Sequence, residues 1–166
     1  MHLGLQRQLN GAHWEREVFD CSSQDFPRAG YMRWLPAVHD AMRRQPAFPW
    51  NPREPHTQIG LRLYESVSKH LSSGDTSLEF HCAIGTALDA WHHTDGFFRL
   101  GNRIVSIDLA SGKYGKGDTR SVLFLKADRG ITLIDTVGER IADLMERVNV
   151  AGAEFVWCNR AAERFG

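Results

Sequence analysis

The sequence predicts an α/β fold in which an N-terminal helical section packs on a mixed sheet of about four strands. Three observations lead to this prediction. Apolar residues recur at helical spacing before residue 72 and again over 132–148. Residues 96–109 are rich in strand-forming side chains and carry a hairpin turn signal at Gly101-Asn102. Four prolines in residues 46–56 separate a helical section, 1–56, from an α/β core, 57–166.

Three helices are predicted in the first half of the chain. The first covers 3–19, and the second covers 31–45, where Pro36 has to lie near the first turn. The third runs over 57–71, where apolar residues follow one another at four-residue steps. Residues 20–30 carry Ser, Asp, Pro and Gly and are typical of a loop.

The second half is predicted as a helix, three strands, a helix and a strand. A helix over 77–92 is indicated by Phe80, Ile84, Leu88 and Trp91, which share one face. The expected elements after it are strands at 96–100, 103–109 and 120–126, a glycine- and lysine-rich loop at 110–119, a helix at 132–148 and a strand at 153–158.

Two aspartates lie inside the hairpin sequence. With Gly101-Asn102 as the turn, Leu100 faces Arg103, and the same register puts Asp95 opposite Asp108. Like charges that face each other across a strand pair destabilise it. Either the strand ends fray and both carboxylates reach water, or a divalent cation such as Mg²⁺ compensates the charge. Because successive side chains of a strand point to opposite faces, we also expect Asp95 and Asp108 to share one sheet face while neighbouring apolar residues face the core.

The predicted helix over 77–92 adds acidic side chains to this region. Glu79, Asp89 and His93 fall on one stripe of that helix, which leads directly into Asp95. Glu79 and Asp89 are therefore further candidate metal ligands.

Composition limits the class of protein only broadly. Acidic and basic side chains balance at 20 each, so net charge neither favours nor excludes nucleic acid. The three cysteines, at 21, 82 and 158, have no metal-binding spacing and indicate reduced intracellular thiols. Signal-peptide and membrane-span patterns are absent from the sequence. We therefore expect a cytoplasmic protein without a membrane partner.

Gly85-Thr86 on a helix, Asp95-Gly96 at the first strand, and Asp108 followed by Gly112-Lys113 at the second resemble motifs of the PD-(D/E)XK nuclease superfamily, the restriction-endonuclease-like fold. The resemblance is nearest to the RecB-type exonuclease branch and covers residues 77–166. Two positions depart from it. The family lysine would fall at Ala110, so Lys113 or Lys126 would have to replace it, and the branch's helix histidine would align with Asp89.

This resemblance implies hydrolysis of phosphodiester bonds in DNA with Mg²⁺ or Mn²⁺. Asp95 and Asp108, with Asp89 or Glu79, would hold the metal, and Lys113 or Lys126 would orient or deprotonate the attacking water. Phosphates would be contacted by basic side chains of the hairpin and the loop after it, namely Arg99, Arg103, Lys113, Lys116 and Arg120. A homodimer is compatible, since many nucleases of this fold cut two strands as dimers.

Two other interpretations stay open. Loss of the motif lysine is also found in catalytically inactive nuclease-fold proteins, which bind nucleic acid or a protein partner. A zinc or other transition-metal site could instead use His81, His92 and His93 with Asp89 or Asp95.

Overall fold

The computed structural model describes residues 11–45, 49–72, 77–110, 122–126, 134–147 and 153–158. Among the described residues, three α-helices come before the first strand, and helices and strands are mixed after it. In chain order they are α1 (Gly11–Phe19), α2 (Trp34–Arg44), α3 (Gln58–His70), β1 (Glu79–Cys82), α4 (Ala87–His92), β2 (Gly96–Leu100), β3 (Arg103–Ala110), β4 (Val122–Lys126), α5 (Ile134–Arg147) and β5 (Ala153–Cys158). A short 3-10 helix, Ser23–Asp25, follows α1.

The five strands form one mixed sheet in the order β1-β2-β3-β5-β4. The first three strands are antiparallel neighbours, whereas β5 runs parallel to both β3 and β4. The mixed helix and strand content confirms the predicted α/β class, and the sheet has one strand more than expected. From α4 onward the order of elements is the predicted helix, three strands, helix and strand.

The helices predicted from apolar spacing form close to their expected bounds. This holds for α2, α3 and α5, and for the part of the first helix that the structure describes, whereas residues 3–10 lie outside the described ranges. Thr57 caps α3, because its hydroxyl accepts a hydrogen bond from the Gly60 amide at 2.9 Å. The same hydroxyl donates to the Val18 carbonyl at 2.6 Å and so ties α3 to the end of α1. None of the described helices is both long and apolar enough to cross a bilayer.

The predicted helix over 77–92 is wrong in its first half, where Glu79–Cys82 is strand β1. This strand pairs with β2, and Phe80 and Cys82 join the core on one sheet face. Gly85 ends the extended segment with a φ of +82°, a conformation that favours glycine. Only the residues after Thr86 are helical. Pairing with a distant strand therefore overrides the local helical spacing.

The hairpin is confirmed, including its register. Leu100 pairs with Arg103 across the Gly101-Asn102 turn, and Gly96 pairs with Ile107 at the other end. Apolar side chains cover both faces of this hairpin. The face carrying Phe98 packs on α1, α3 and α5, and the face carrying Phe97 packs on α2 and α4. The sheet is thus enclosed between two layers of helices, and the aspartates lie inside this enclosure.

Candidate functional site

Asp95 and Asp108 are buried at the open end of the hairpin, opposite the Gly101-Asn102 turn. They lie one position beyond the paired residues Gly96 and Ile107, and only 4% of Asp95 and 8% of Asp108 is exposed. Alternation along β3 places Asp108 on the second sheet face, as predicted, whereas the Asp95 amide bonds to the Ile107 carbonyl one position out of the hairpin register. The expectation that fraying would carry both carboxylates into water is wrong, because α2 and α4 cover this face.

Hydrogen bonds to backbone groups hold Asp95 in place beside Asp108. The Asp95 amide donates to the Ile107 carbonyl at 2.8 Å, and the Asp95 carboxylate accepts from the Leu109 amide at 2.7 Å. The Asp95 carbonyl accepts from the Ala83 amide at 2.8 Å. The hydrogen bonds to Ile107 and Leu109 lie on both sides of Asp108, so they hold the carboxyl groups of Asp95 and Asp108 close to each other.

Burial raises the pKa of both aspartates. The pKa of Asp108 is raised to about 7 by burial, with repulsion from Asp89 and Glu15 adding to the effect and a hydrogen bond from Asp95 opposing it. The pKa of Asp95 is raised well above its ordinary value by burial and then by repulsion from Asp108 and Asp89. A hydrogen bond between two carboxyl groups needs a proton on one of them. At neutral pH this pair therefore retains at least part of one proton.

Asp89 joins the same cluster from helix α4. One of its carboxylate oxygens accepts from the Gly85 amide at 3.0 Å, and its carboxyl group is hydrogen-bonded to that of Asp95. Burial raises its pKa, against the lowering effect of both hydrogen bonds. Gly85 is required here for its positive φ and because a side chain would meet the ring of Phe26 at 2.6 Å. The Gly85-Thr86 pair noted in the sequence thus positions Asp89.

A fourth acid, Glu15, was missed by the sequence reasoning. It lies on α1, is 8% exposed, and accepts a hydrogen bond from the Ser23 amide at 2.9 Å. Burial raises its pKa, and repulsion from Asp89 adds to the rise. Its signal in the sequence is its position three and four residues before the core residues Val18 and Phe19. We call Glu15, Asp89, Asp95 and Asp108 the acidic centre.

A surface cleft of about 420 Å³ opens beside the acidic centre. Its lining includes Gly85 and Asp89 together with Phe26, Arg28 and His93. Because Asp89 borders the cleft and is hydrogen-bonded to Asp95, the cleft gives solvent and small groups access to the edge of the buried carboxyls.

The metal-ligand set expected from the sequence is only partly brought together. Asp89, Asp95 and Asp108 meet, but Glu79 lies on β1 opposite Arg99, four strand residues or about 13 Å along from Asp95. Its carboxylate accepts from Arg99 at 2.9 Å and contacts His81 at 2.9 Å. Among the described residues, no three His, Cys, Asp or Glu side chains are placed to hold a metal ion together.

The basic residues expected to contact phosphates have other partners where the structure describes them. Arg99 pairs with Glu79, and Arg103 donates to the carbonyls of Met145 and Glu146 at 3.5 and 3.4 Å, at the end of α5. Both lie toward the turn end of the hairpin, away from the acidic centre. The remaining predicted phosphate contacts, Lys113, Lys116 and Arg120, lie outside the described residues.

Lys126, one candidate replacement for the motif lysine, does not lie on a strand next to that of Asp108. Its strand β4 pairs with β5 rather than with β3, so β5 separates it from Asp108. The backbone of Lys126 is level with Cys158 and Ala110, about 10 Å across the sheet from β3. Lys113, the other candidate for the missing lysine, lies outside the described residues.

The three histidines of the alternative zinc site point to different partners. His81 contacts Glu79 and stacks on Phe97 with ring centroids 4.8 Å apart. His92 donates to the Met32 carbonyl at 2.7 Å. His93 is exposed at the end of α4, with a φ of 54°. This arrangement gives the zinc interpretation no support among the described residues.

The site can also be set against known proteins. Searches of protein-family models, of curated proteins and of solved structures found no match to this chain.

Proposed function

We propose that the protein is a metal-dependent nuclease that hydrolyses phosphodiester bonds in DNA, in the manner of the PD-(D/E)XK superfamily. One observation carries the proposal. Asp95 and Asp108 face each other while buried, with Asp89 and Glu15 close enough to raise the pKa of Asp108. Such an arrangement destabilises the fold unless protons or a cation neutralise the charges. Carboxyl groups with strongly shifted pKa values beside a cleft are typical of functional sites.

The donor set fits Mg²⁺ or Mn²⁺. Both ions prefer carboxylate oxygens, and Mg²⁺ in enzymes of phosphate chemistry is commonly bound by one or two carboxylates, with waters and substrate phosphates as the other ligands. Asp95 and Asp108 would supply these carboxylates, with Asp89 adjoining them from the cleft. When bound, the metal would polarise the phosphodiester and lower the pKa of the attacking water.

The chain's own residues supply position and access. The Leu109 and Gly85 amides hold the carboxylates of Asp95 and Asp89, so that these side chains are oriented before substrate arrives. Arg28 lines the cleft and can neutralise a phosphate that enters it. Lys113 remains the proposed replacement for the motif lysine, since β5 separates Lys126 from Asp108.

Asparagine variants test this proposal. In Asp95→Asn and Asp108→Asn an isosteric neutral group replaces a mutually repelling acid, so we expect both variants to fold. Binding of Mg²⁺ and Mn²⁺, measured by titration calorimetry, should disappear. Cleavage of plasmid and single-stranded DNA should fall by at least about 100-fold, the scale of removing one electrostatic stabiliser of a transition state.

A matched control is Asp143→Asn, which removes an exposed aspartate that pairs with Arg147 on α5. It should bind metal and cleave DNA like the wild type. Metal binding or cleavage that survives in Asp108→Asn, or that is lost equally in Asp143→Asn, would contradict the assignment of the acidic centre.

A second candidate function is a catalytically inactive nuclease-fold protein that binds nucleic acid or a protein partner. The observation that favours it is Ala110, which occupies the position of the family lysine, together with the distance of Lys126 from Asp108. The same measurements separate the two candidates: a protein of this second kind would retain any binding of DNA but would not cut it with either metal.

A further inference from the structure

Two large aromatic side chains remain exposed beside the cleft. Tyr31 is 63% exposed and Trp91 is 39% exposed. Their rings lie edge to face with centroids 5.5 Å apart. Single exposed apolar residues are common on protein surfaces, whereas neighbouring exposed apolar side chains that form a continuous patch can mark a binding site.

The last turn of α4 fixes this pair in place. The Trp91 indole donates to the Ala29 carbonyl at 2.7 Å, and the next residue, His92, donates to the Met32 carbonyl at 2.7 Å. These two hydrogen bonds hold the irregular segment 28–33 across the end of the helix. Tyr31 and Trp91 are therefore presented in a fixed geometry, which lowers the entropy lost when a ligand stacks on them.

Arg28 connects the aromatic pair to the cleft. Its guanidinium carbon lies 4.1 Å from the centroid of the Trp91 ring, a cation-π contact. The same residue lines the cleft together with Asp89. Arg33, at the end of the segment, is also exposed. Arg28 thus covers one face of the Trp91 ring, and the surface combines the exposed ring of Tyr31 with positive charge.

We propose that Arg28, Tyr31 and Trp91 form a stacking platform for unpaired bases of single-stranded nucleic acid. Aromatic side chains with interleaved arginines bind single strands because every unpaired base exposes a flat face, whereas both faces of a base inside a duplex are covered by its neighbours. A strand held on the platform carries its phosphate backbone past Arg28 into the cleft at Asp89. This inference rests on the proposed function for its substrate and names that substrate as single-stranded rather than duplex.

The test uses fluorescence anisotropy with EDTA present, so that neither metal binding nor cleavage is involved. The probes are a labelled thymidine oligomer of about twelve nucleotides and an abasic oligomer of the same length, which carries the same phosphates without bases. The wild type should prefer the thymidine oligomer. Tyr31→Ala should weaken that binding by at least about fivefold and leave the abasic oligomer unaffected, whereas Tyr31→Phe should retain the preference.

Leu61→Ala is the matched control, because Leu61 is equally an exposed large side chain, 38% exposed, but lies on α3 at the other face of the sheet. Equal binding of the two oligomers by the wild type, or no effect of Tyr31→Ala, would overturn the platform. Absence of binding to either oligomer would overturn it as well.

The failure of the platform and the failure of the nuclease assignment can be told apart. Base-dependent binding in EDTA without cleavage in Mg²⁺ would support the platform and contradict the nuclease. Cleavage that Asp108→Asn abolishes, with no preference for bases over abasic sites, would support the nuclease and contradict the platform.

Discussion

Asp108 is the residue whose ionisation should be visible in the stability of the whole protein. Its pKa is raised to about 7, mainly by burial, and the pKa values of Asp95, Asp89 and Glu15 are raised by burial as well. A carboxyl group with a raised pKa in the folded state stabilises the fold fully at low pH. That stabilisation is lost as pH rises from the unfolded value, near 4, through the folded value.

We therefore expect the acidic centre to lower the free energy of unfolding between pH 5 and pH 8. At about 1.4 kcal/mol per pH unit, Asp108 alone should account for about 2–3 kcal/mol in this window. His81 acts in the opposite direction, because burial lowers its pKa. The measurement is therefore the difference between wild type and Asp108→Asn in urea denaturation at several pH values, and this difference should grow as pH rises toward 8.

Magnesium should reverse this loss at pH 8, since an ion that binds only the folded protein stabilises it. Asp143→Asn should follow the wild-type curve with and without Mg²⁺, because Asp143 is exposed and lies on α5. A wild type whose stability relative to Asp108→Asn does not change with pH would show that the carboxyls are not forced together as described.

Helices α3 and α5 pack so closely that one glycine is required between them. A methyl group at Gly138 would collide with the side chain of Ser66, and the Ser66 hydroxyl is bonded to the Asp135 carboxylate at 3.0 Å. At an exposed helix position a change from glycine to alanine stabilises by about 1 kcal/mol. Here we expect the opposite sign, with Gly138→Ala losing roughly 1–3 kcal/mol.

Thermal and urea denaturation will measure this change. Thr136→Ala, at an exposed position of the same helix, provides the control and should differ from wild type by less than about 0.5 kcal/mol. Increased stability of Gly138→Ala would mean that α3 and α5 can separate without cost.

At the scale of secondary-structure elements, the packing also explains why the helix predicted over 77–92 was wrong in its first half. The apolar spacing of Phe80, Ile84 and Leu88 fits a helix, yet Phe80 lies in a strand and stacks on Phe98 at 4.2 Å. Short apolar runs fit either structure, and the partner strand decided between them. The hairpin of β2 and β3 was predictable because its register follows from its own turn. Elements α2, α3 and α5 were predictable from the apolar spacing that lies within each segment.

The candidate site was likewise predictable from the sequence only in part. Hairpin register brings together the strand ends that carry Asp95 and Asp108, so the closeness of these two residues was available in the sequence. The approach of Glu15 and Arg28 was not, because both come from the N-terminal section and meet the sheet only through tertiary packing. The alternative in which the carboxylates reach water failed for a related reason, since helix α2 covers their sheet face.

At the scale of the molecule, one sheet supports two cores. Phe98 belongs to the cluster shared with α1, α3 and α5, and its neighbour Phe97 belongs to the cluster shared with α2 and α4. Because adjacent residues of one strand anchor both, we expect the two clusters to unfold together. Phe97→Leu and Phe98→Leu should each lower stability by roughly 1–2 kcal/mol.

Circular dichroism and tryptophan fluorescence should report coincident transitions in both variants. Leu61→Ala, an exposed position, again serves as the control. An early transition seen in Phe97→Leu but not in Phe98→Leu would indicate that the helices over the acidic centre detach independently.

The position of β5 constrains the order in which the chain can assemble. It follows every other described strand in sequence but lies between β3 and β4 in the sheet. While the ribosome is still adding residues 134–147, β4 has no neighbouring strand to bond to, and β3 presents an open edge of the kind that joins foreign strands. Completion of the sheet therefore waits for synthesis of residues 153–158. Asp108 lies in β3, so its final surroundings form only after β5 has paired with both β3 and β4.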